Sequence, residues 1–280
     1  MPHLMNRRTV LLGAGYSVFL PHRLSANGMA LYDLAYGPHR LQRMDVYLPS
    51  QPQSASIVFM VHGGAWQIGD KRNSATWRNK RDYFNRRGYI FISTNYRLLP
   101  DANPLEQAAD VAQAMTFVQQ NAPNWGGNPN RICLMGHSAG AHLAALLTAN
   151  INIATSQGAR RWHATVALDS SPYDLERTMS SGNVRQIYHD AFGSDPAFWR
   201  AASPLAQLQG SINPILLVCS TLRRDNACAD ADRFSSVIRS NGGRAEVLRI
   251  ALTHRGINAR LGTPGRYSQA VQRFLSSTGL

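Results

Sequence analysis

The sequence predicts one α/β domain built on a doubly wound, mostly parallel sheet with helices on both faces. Two observations lead there. Short, fully apolar runs bounded by Gly or Pro alternate with segments of helical periodicity from about residue 40 onward, the pattern of repeated βαβ units. The chain is also long and apolar enough for one large core, with 280 residues, 44% of them hydrophobic, and a mean hydropathy of -0.26. The same numbers exclude a disulfide-stapled miniprotein, a collagen-like chain and an intrinsically disordered one.

The elements follow in order. Residues 41–48 alternate apolar and polar side chains and stop at Pro49, as a strand does; residues 56–61 (SIVFMV) form a buried strand closed by Gly63-Gly64. Residues 74–87 carry Trp77, Tyr83 and Phe84 at helical spacing, and 89–94 (YIFIST) form the next strand after Gly88. A helix over 104–121 opens at Pro104 and lines up Leu105, Ala108, Val111, Ala112, Met115 and Val118. A strand at 131–135 runs directly into an apolar helix at 139–149. Strands at 164–168 and 214–219, a helix at 227–240, a strand at 245–252 and a helix at 264–276 complete the series. Only residues 171–208 break the rhythm. This stretch, rich in Ser, Tyr, Trp and Phe between two strands, is expected to form a short lid, with Tyr173, Tyr188, Phe192, Phe198 and Trp199 as candidate lining of an acyl or aryl pocket.

Residues 1–26 read as an export signal preceding a single domain over 27–280. Arg7-Arg8 stand before an apolar stretch at 10–20, followed by Pro21 and small residues at Ser25 and Ala26, a twin-arginine-like arrangement. The mature chain is then expected in the periplasm or outside the cell; if the segment is a short buried helix, or Met5 is the start, the protein is cytoplasmic. Cys219 and Cys228 flank a polar loop at a spacing that allows a disulfide in an oxidising compartment, while Cys133 lies alone in an apolar run. No apolar run is long enough to span a membrane.

The net charge is +13, and only Lys71 and Lys80 among the 29 basic residues are lysine. The arginines are scattered singly and in pairs, with no block of five like charges and no zinc-finger or RNA-binding pattern, so a solvated basic surface is expected rather than a nucleic-acid partner. No CxxC pair or His/Cys cluster calls for a metal, and nothing demands an organic cofactor.

Three points carry chemistry. Gly136-His137-Ser138-Ala139-Gly140 is a G-x-S-x-G between a strand and a helix, the context in which a sharp turn lifts a nucleophilic serine clear of the sheet. The helix N-terminus then faces the developing negative charge. His62-Gly63-Gly64-Ala65-Trp66 follows a buried strand and can turn backbone N–H groups toward a tetrahedral oxyanion. Gly64, Ala65 and Ala139 are the expected donors, with Trp66 a further candidate because Ala65 stands where a third glycine could be. The base and acid should follow the serine in the order acid, then histidine. His254, in the loop past the last strand, is the expected base, with His189 in the lid segment as the alternative. Asp225, in the loop after strand 214–219, is the expected acid; Asp230 and Asp232 lie further on, where a helix begins.

With these residues in view, the chain resembles the α/β-hydrolase superfamily, in its carboxylesterase branch with an HGG-x-W oxyanion loop. That branch includes bacterial feruloyl and acetyl-xylan esterases, kynurenine-formamidase-like enzymes and relatives of hormone-sensitive lipase. The resemblance spans about residues 40–276, through Asp45-Val46-Tyr47-Leu48-Pro49, Asn95-Tyr96-Arg97-Leu98, Tyr173-Asp174-Leu175 and Ser203-Pro204-Leu205 besides the motifs above. The loop Arg223-Arg224-Asp225-Asn226 departs from the G-x-x-D pattern of many relatives. The resemblance implies a cofactor-free serine hydrolase of short-chain or aryl carboxylic esters. Hydrolysis of aryl formamides is the alternative on the same triad, and a non-catalytic or anion-binding protein on a hydrolase fold is the alternative of another class.

Overall fold

The central strands are apolar on both faces, and both faces are covered. In β3 (Ala55–Val61), Ile57, Phe59 and Val61 pack into one core and Val58 and Met60 into another on the opposite side. Each such side chain contributes roughly 1.5–3 kcal/mol by leaving water. The computed structural model describes residues 29–170 and 172–280. Among these, eight strands form one sheet: β1 (Ala30–Ala35), β2 (Arg43–Tyr47), β3, β4 (Ile90–Thr94), β5 (Gly127–His137), β6 (Ala164–Leu168), β7 (Ile215–Ser220) and β8 (Ala245–Ile250). Their order is β1-β2-β4-β3-β5-β6-β7-β8. The pairs β1–β2 and β2–β4 are antiparallel and the other five are parallel.

One face carries α2 (Pro104–Asn121), α3 (Ala139–Ala149), α4 (Ile151–Ser156) and α8 (Ala227–Ser240). The other carries α1 (Ser74–Asn85), α9 (His254–Arg260) and α10 (Arg266–Ser277). The start of α2 shows why that helix begins where the sequence suggests. Asn103 accepts from the Leu105 and Glu106 amides, Glu106 reaches back to the Asn103 amide, and Pro104 fills the first position. Every residue of α3 is buried, as a helix apolar all round requires.

The sheet is the α/β-hydrolase fold, and the differences from expectation are local. β1 is a half-exposed edge strand whose mixed polarity gives no clean alternation. β5 starts four residues early, because Gly127-Asn128-Pro129-Asn130 reads as a turn yet extends the ladder beside β3. Between β6 and β7, the described part of the irregular segment holds α5 (Leu175–Met179), α6 (Gln186–Phe192) and α7 (Pro196–Ala202), each too short for a periodic signal. The export-signal expectation for residues 1–26 lies outside the described residues. Among the described residues, no helix is long and apolar enough to cross a membrane.

Candidate active site

The parallel strands β3, β5, β6, β7 and β8 all end at one edge of the sheet, so the loops that follow them converge there. Ser138 follows β5 directly. It adopts φ 55 and ψ −118, a backbone state that costs a side-chain-bearing residue about 1–3 kcal/mol. Its surroundings over-determine it: its N–H donates to Leu168 O at 2.9 Å, and its carbonyl accepts the His142 N–H at 3.0 Å. Two glycines make the turn possible. A Cβ on Gly136 would lie 2.1 Å from Gly140 O, and one on Gly140 would lie 2.4 Å from the carbonyl oxygens of both Val61 and His62.

The loop after β3 lies against this turn, since a Cβ on Gly63 would come within 2.9 Å of Ser138 Cβ. His62 shapes it from below. Its Nδ1 donates to Gly63 O at 2.7 Å, its ring stacks on Tyr96, and the Tyr96 hydroxyl donates to His62 O at 3.0 Å. Gly64, Ala65 and Trp66 all have positive φ, and the Gly64 carbonyl accepts the amides of Gln67 and Ile68, each at 3.0 Å. Among the described residues, no acceptor takes the N–H of Gly64, Ala65 or Ala139. Trp66 turns its ring away to pack on Phe192 and His142.

His254 opens α9 just past β8, and its Nε2 lies 2.9 Å from Ser138 Oγ. Its Nδ1–H donates to Asp169 Oδ2 at 2.6 Å, which leaves Nε2 as the acceptor facing the serine. The structure thus differs from expectation at the acid. Asp169, one residue beyond β6, is the carboxylate that meets His254; Asp225 is not. The side chain of Asp169 is fully buried, its Oδ1 accepts the Ser220 N–H at 2.8 Å, and its own N–H donates to Val218 O at 2.7 Å. Burial alone would push this carboxyl up. The His254 hydrogen bond, the Arg223 cation and the Ser220 amide outweigh it and hold the group below the usual carboxylate range.

Asp225 is 32% exposed and engaged elsewhere. It receives both Nε (2.8 Å) and Nη2 of Arg223, with Arg185 Nη1 3.9 Å away. Arg223 in turn points inward: its Nη1 donates to Asp169 O at 2.9 Å and sits 3.4 Å from both Asp169 Oδ2 and His254 Nδ1. Asp230 and Asp232 pair with Arg177 and Arg249, and His189 is exposed on α6. A Cys219–Cys228 disulfide joins β7 to α8 and closes the loop that carries Arg223 and Asp225.

Two residues that the motifs did not single out complete the site. Asp169 had one faint signal, an acidic residue directly after the buried run 164–168. His137 had none beyond its place in the G-x-S-x-G. Its ring lies 4.6 Å from that of His254, and its Nε2–H donates to His254 O at 3.1 Å. Burial, with His254 and Lys80 nearby, pushes its pKa down to about 3, so this second imidazole stays neutral beside the first.

These residues open onto a cavity of about 870 Å³. Of the lid-segment aromatics named from sequence, Tyr188 borders it. Tyr173 stacks on Phe234, Phe192 packs under Trp66, and Trp199 donates to the Phe192 and Gly193 carbonyls.

Fold and geometry define the class: an α/β-hydrolase with a Ser–His–Asp line at the carboxyl edge of its sheet. The chain belongs to the BD-FAE family, whose model matches residues 44–223. It is 29% identical over 247 residues to isoprenylcysteine alpha-carbonyl methylesterase ICME of Arabidopsis thaliana, covering 79% of this chain and 55% of that protein. It is 27% identical over 236 residues to esterase LipQ of Mycobacterium tuberculosis, with the same two coverages of 79% and 55%. The chain thus spans about half the length of these curated relatives. In fold it is similar to a truncated carbohydrate esterase from gut microbiota (TM-score 0.77, 18% identity, covering 91% of this chain and 98% of that one). Esterase B of Lactobacillus rhamnosis is similar as well, with a TM-score of 0.71, 18% identity and coverage of 92% and 87%.

Proposed function

We propose that this protein is a serine carboxylesterase that hydrolyses short-chain or aryl esters through Ser138, His254 and Asp169. The observation that carries this reading is the continuous hydrogen-bonded line from Ser138 Oγ through His254 to the buried Asp169, at a strained strand-to-helix turn. The relatives' names, a methylesterase and an esterase, support ester over formamide chemistry.

In the first half-reaction His254 Nε2 takes the Ser138 proton as Oγ bonds to the ester carbonyl carbon. The carbonyl π pair moves onto oxygen, and the N–H groups of Gly64, Ala65 and Ala139 receive the oxyanion. Collapse of the tetrahedral intermediate breaks the bond to the alcohol oxygen, which leaves with the proton held on His254. Water then repeats the sequence on the acyl-enzyme and releases the acid. Asp169 fixes the imidazole tautomer and stabilises its charged form, and its lowered pKa keeps it ionised for that task. The residues between β6 and β7 act as a short lid. The disulfide suits an oxidising compartment and supports export of the chain.

Hydrolysis of p-nitrophenyl acetate, butyrate, octanoate and laurate by wild type and Ser138→Ala tests the reading. It expects turnover highest on the two shorter esters and a loss of about 10⁶ in kcat on removing the hydroxyl. A rate peaking at laurate contradicts the substrate size. Turnover that survives Ser138→Ala contradicts the mechanism.

A further inference from the structure

Away from the reacting atoms, the charge around the cavity is unevenly committed. Arg185, Arg223, Arg224 and Arg255 border it, together with Asp70, Asp169 and Asp225. The three carboxylates all have partners. Asp169 serves His254, Asp225 holds Arg223, and Asp70 accepts from the Asn95 side chain and the Arg72 amide. Arg224 and Arg255 are exposed, and their side chains make no ion pair or hydrogen bond with any described residue. Both adjoin the base. Arg255 follows His254 in the chain, and Arg224 follows Arg223, whose guanidinium lies 3.4 Å from the His254 ring.

The cavity is bordered by loops that follow β3, β5, β6, β7 and β8. Ser138 stands at the end of β5, with the β3 loop on one side and the β7 and β8 loops beyond β6 on the other. The segment after β3 contributes Ala65 and Ile68 together with the polar Asp70, Asn73 and Thr76, and Ile187 and Tyr188 add further apolar surface. The β7 and β8 loops contribute the two uncommitted arginines. An ester held at Ser138 therefore shares its cavity with both apolar side chains and unneutralised guanidinium groups. The chain's net charge of +13 adds a long-range attraction of the same sign.

We propose that the substrate is an ester bearing a carboxylate on one of its two halves, and that Arg224 and Arg255 form the subsite that binds it. Guanidinium groups match carboxylates with paired, directed N–H donors. This proposal rests on the esterase reading.

The test compares charged and neutral esters of matched size. For the acyl side these are mono-p-nitrophenyl adipate, whose carboxylate is too far away for ready closure to an anhydride, and p-nitrophenyl hexanoate; for the alcohol side, p-acetoxybenzoate and phenyl acetate. Each kcat/KM is divided by the ester's spontaneous hydrolysis rate. At low salt the charged member of at least one pair is expected to be favoured about 10-fold or more, the effect of roughly 1.4 kcal/mol of charge-assisted binding. That preference should shrink in 0.5 M NaCl, where screening shortens the reach of exposed charges to a few ångström. Arg224→Gln/Arg255→Gln should lower the charged-to-neutral ratio about 10-fold, and Arg224→Glu/Arg255→Glu should bring it below one. The salt series on wild type gives an answer even if a variant misfolds. Turnover of neutral esters with ratios near one, insensitive to salt, overturns the subsite and leaves the esterase reading standing. No turnover of any ester overturns both.

Discussion

The loops after β6 and β7 lie side by side, and each carries a carboxylate beside Arg223, yet the two take different parts. Asp169 is fully buried, one residue from its strand, and held by the Ser220 amide and the Arg223 guanidinium. Asp225 lies five residues past its strand, a third exposed, and faces the outer side of Arg223. The inner carboxylate bonds to His254 and the outer one bonds to the arginine that braces it. A carboxylate suits the work of an acid partner through its burial and its hydrogen bonds. The strand it follows is secondary, since the loop after the neighbouring parallel strand β7 also reaches His254, through Arg223.

The largest effect should separate these two carboxylates. Asp169→Asn is expected to lower kcat by about 10⁴, because the amide favours the wrong histidine tautomer. Asp225→Asn should cost less than about 10-fold, and steady-state kinetics on p-nitrophenyl butyrate reads both. A smaller effect probes the arginine between them. Arg223→Gln removes the cation that helps hold the Asp169 carboxyl down, so burial pushes that carboxyl up. The acid limb of the pH–rate profile should then move to higher pH, with a loss in kcat of about 10–100-fold at one charge-assisted contact. Arg223→Lys should restore part of it. A loss of activity with an unmoved pH profile would make Arg223 a packing residue only.

Lys80 sharpens the same contrast, being a buried basic group with no counter-ion among the described residues. Its Nζ donates to Ala75 O, Asn258 O and Asn258 Oδ1, the last two on the helix that His254 opens, and burial pushes its pKa down to about 7. A lysine with a lowered folded pKa destabilises the fold fully below that pKa. The penalty shrinks as pH rises from about 7 toward the unfolded value of 10.5. Wild-type Tm should therefore gain on Lys80→Met as pH increases from 7 to 9. Asp169 behaves oppositely: its lowered pKa stabilises the fold above the ordinary value of 3.8, and that contribution is lost as pH falls below it. Parallel Tm curves for wild type and Lys80→Met would show that the lysine stays charged in both states throughout and contradict the lowered pKa.

Much of this site was legible in the sequence because it is local. Gly136, Ser138 and Gly140 have meaning at a fixed spacing between a strand and a helix, and His62-Gly63-Gly64 has meaning at a strand end. His254 could be found because the last strand has one histidine beyond it. Asp169 could not be found the same way. What makes it the partner of His254 is a backbone amide 51 residues away, an arginine 54 residues away and burial between β6 and β7. Local reading favoured the more crowded loop, where Arg223 and Asp225 sit together, and the departure of that loop from the G-x-x-D pattern was the visible trace of the difference. The lid aromatics tell a similar story, since composition named five and packing left Tyr188 at the cavity.

The most direct test is the rate at which an active-site-directed phosphonate ester labels Ser138, followed by intact mass in wild type, Asp169→Asn and Asp225→Asn. This reads activation of the serine alone, free of deacylation. Labelling of Asp225→Asn within about 10-fold of wild type, and of Asp169→Asn slower by about 10³ or more, is the predicted result. Normal labelling of Asp169→Asn with slow labelling of Asp225→Asn would return the acid to the loop after β7 and contradict this account.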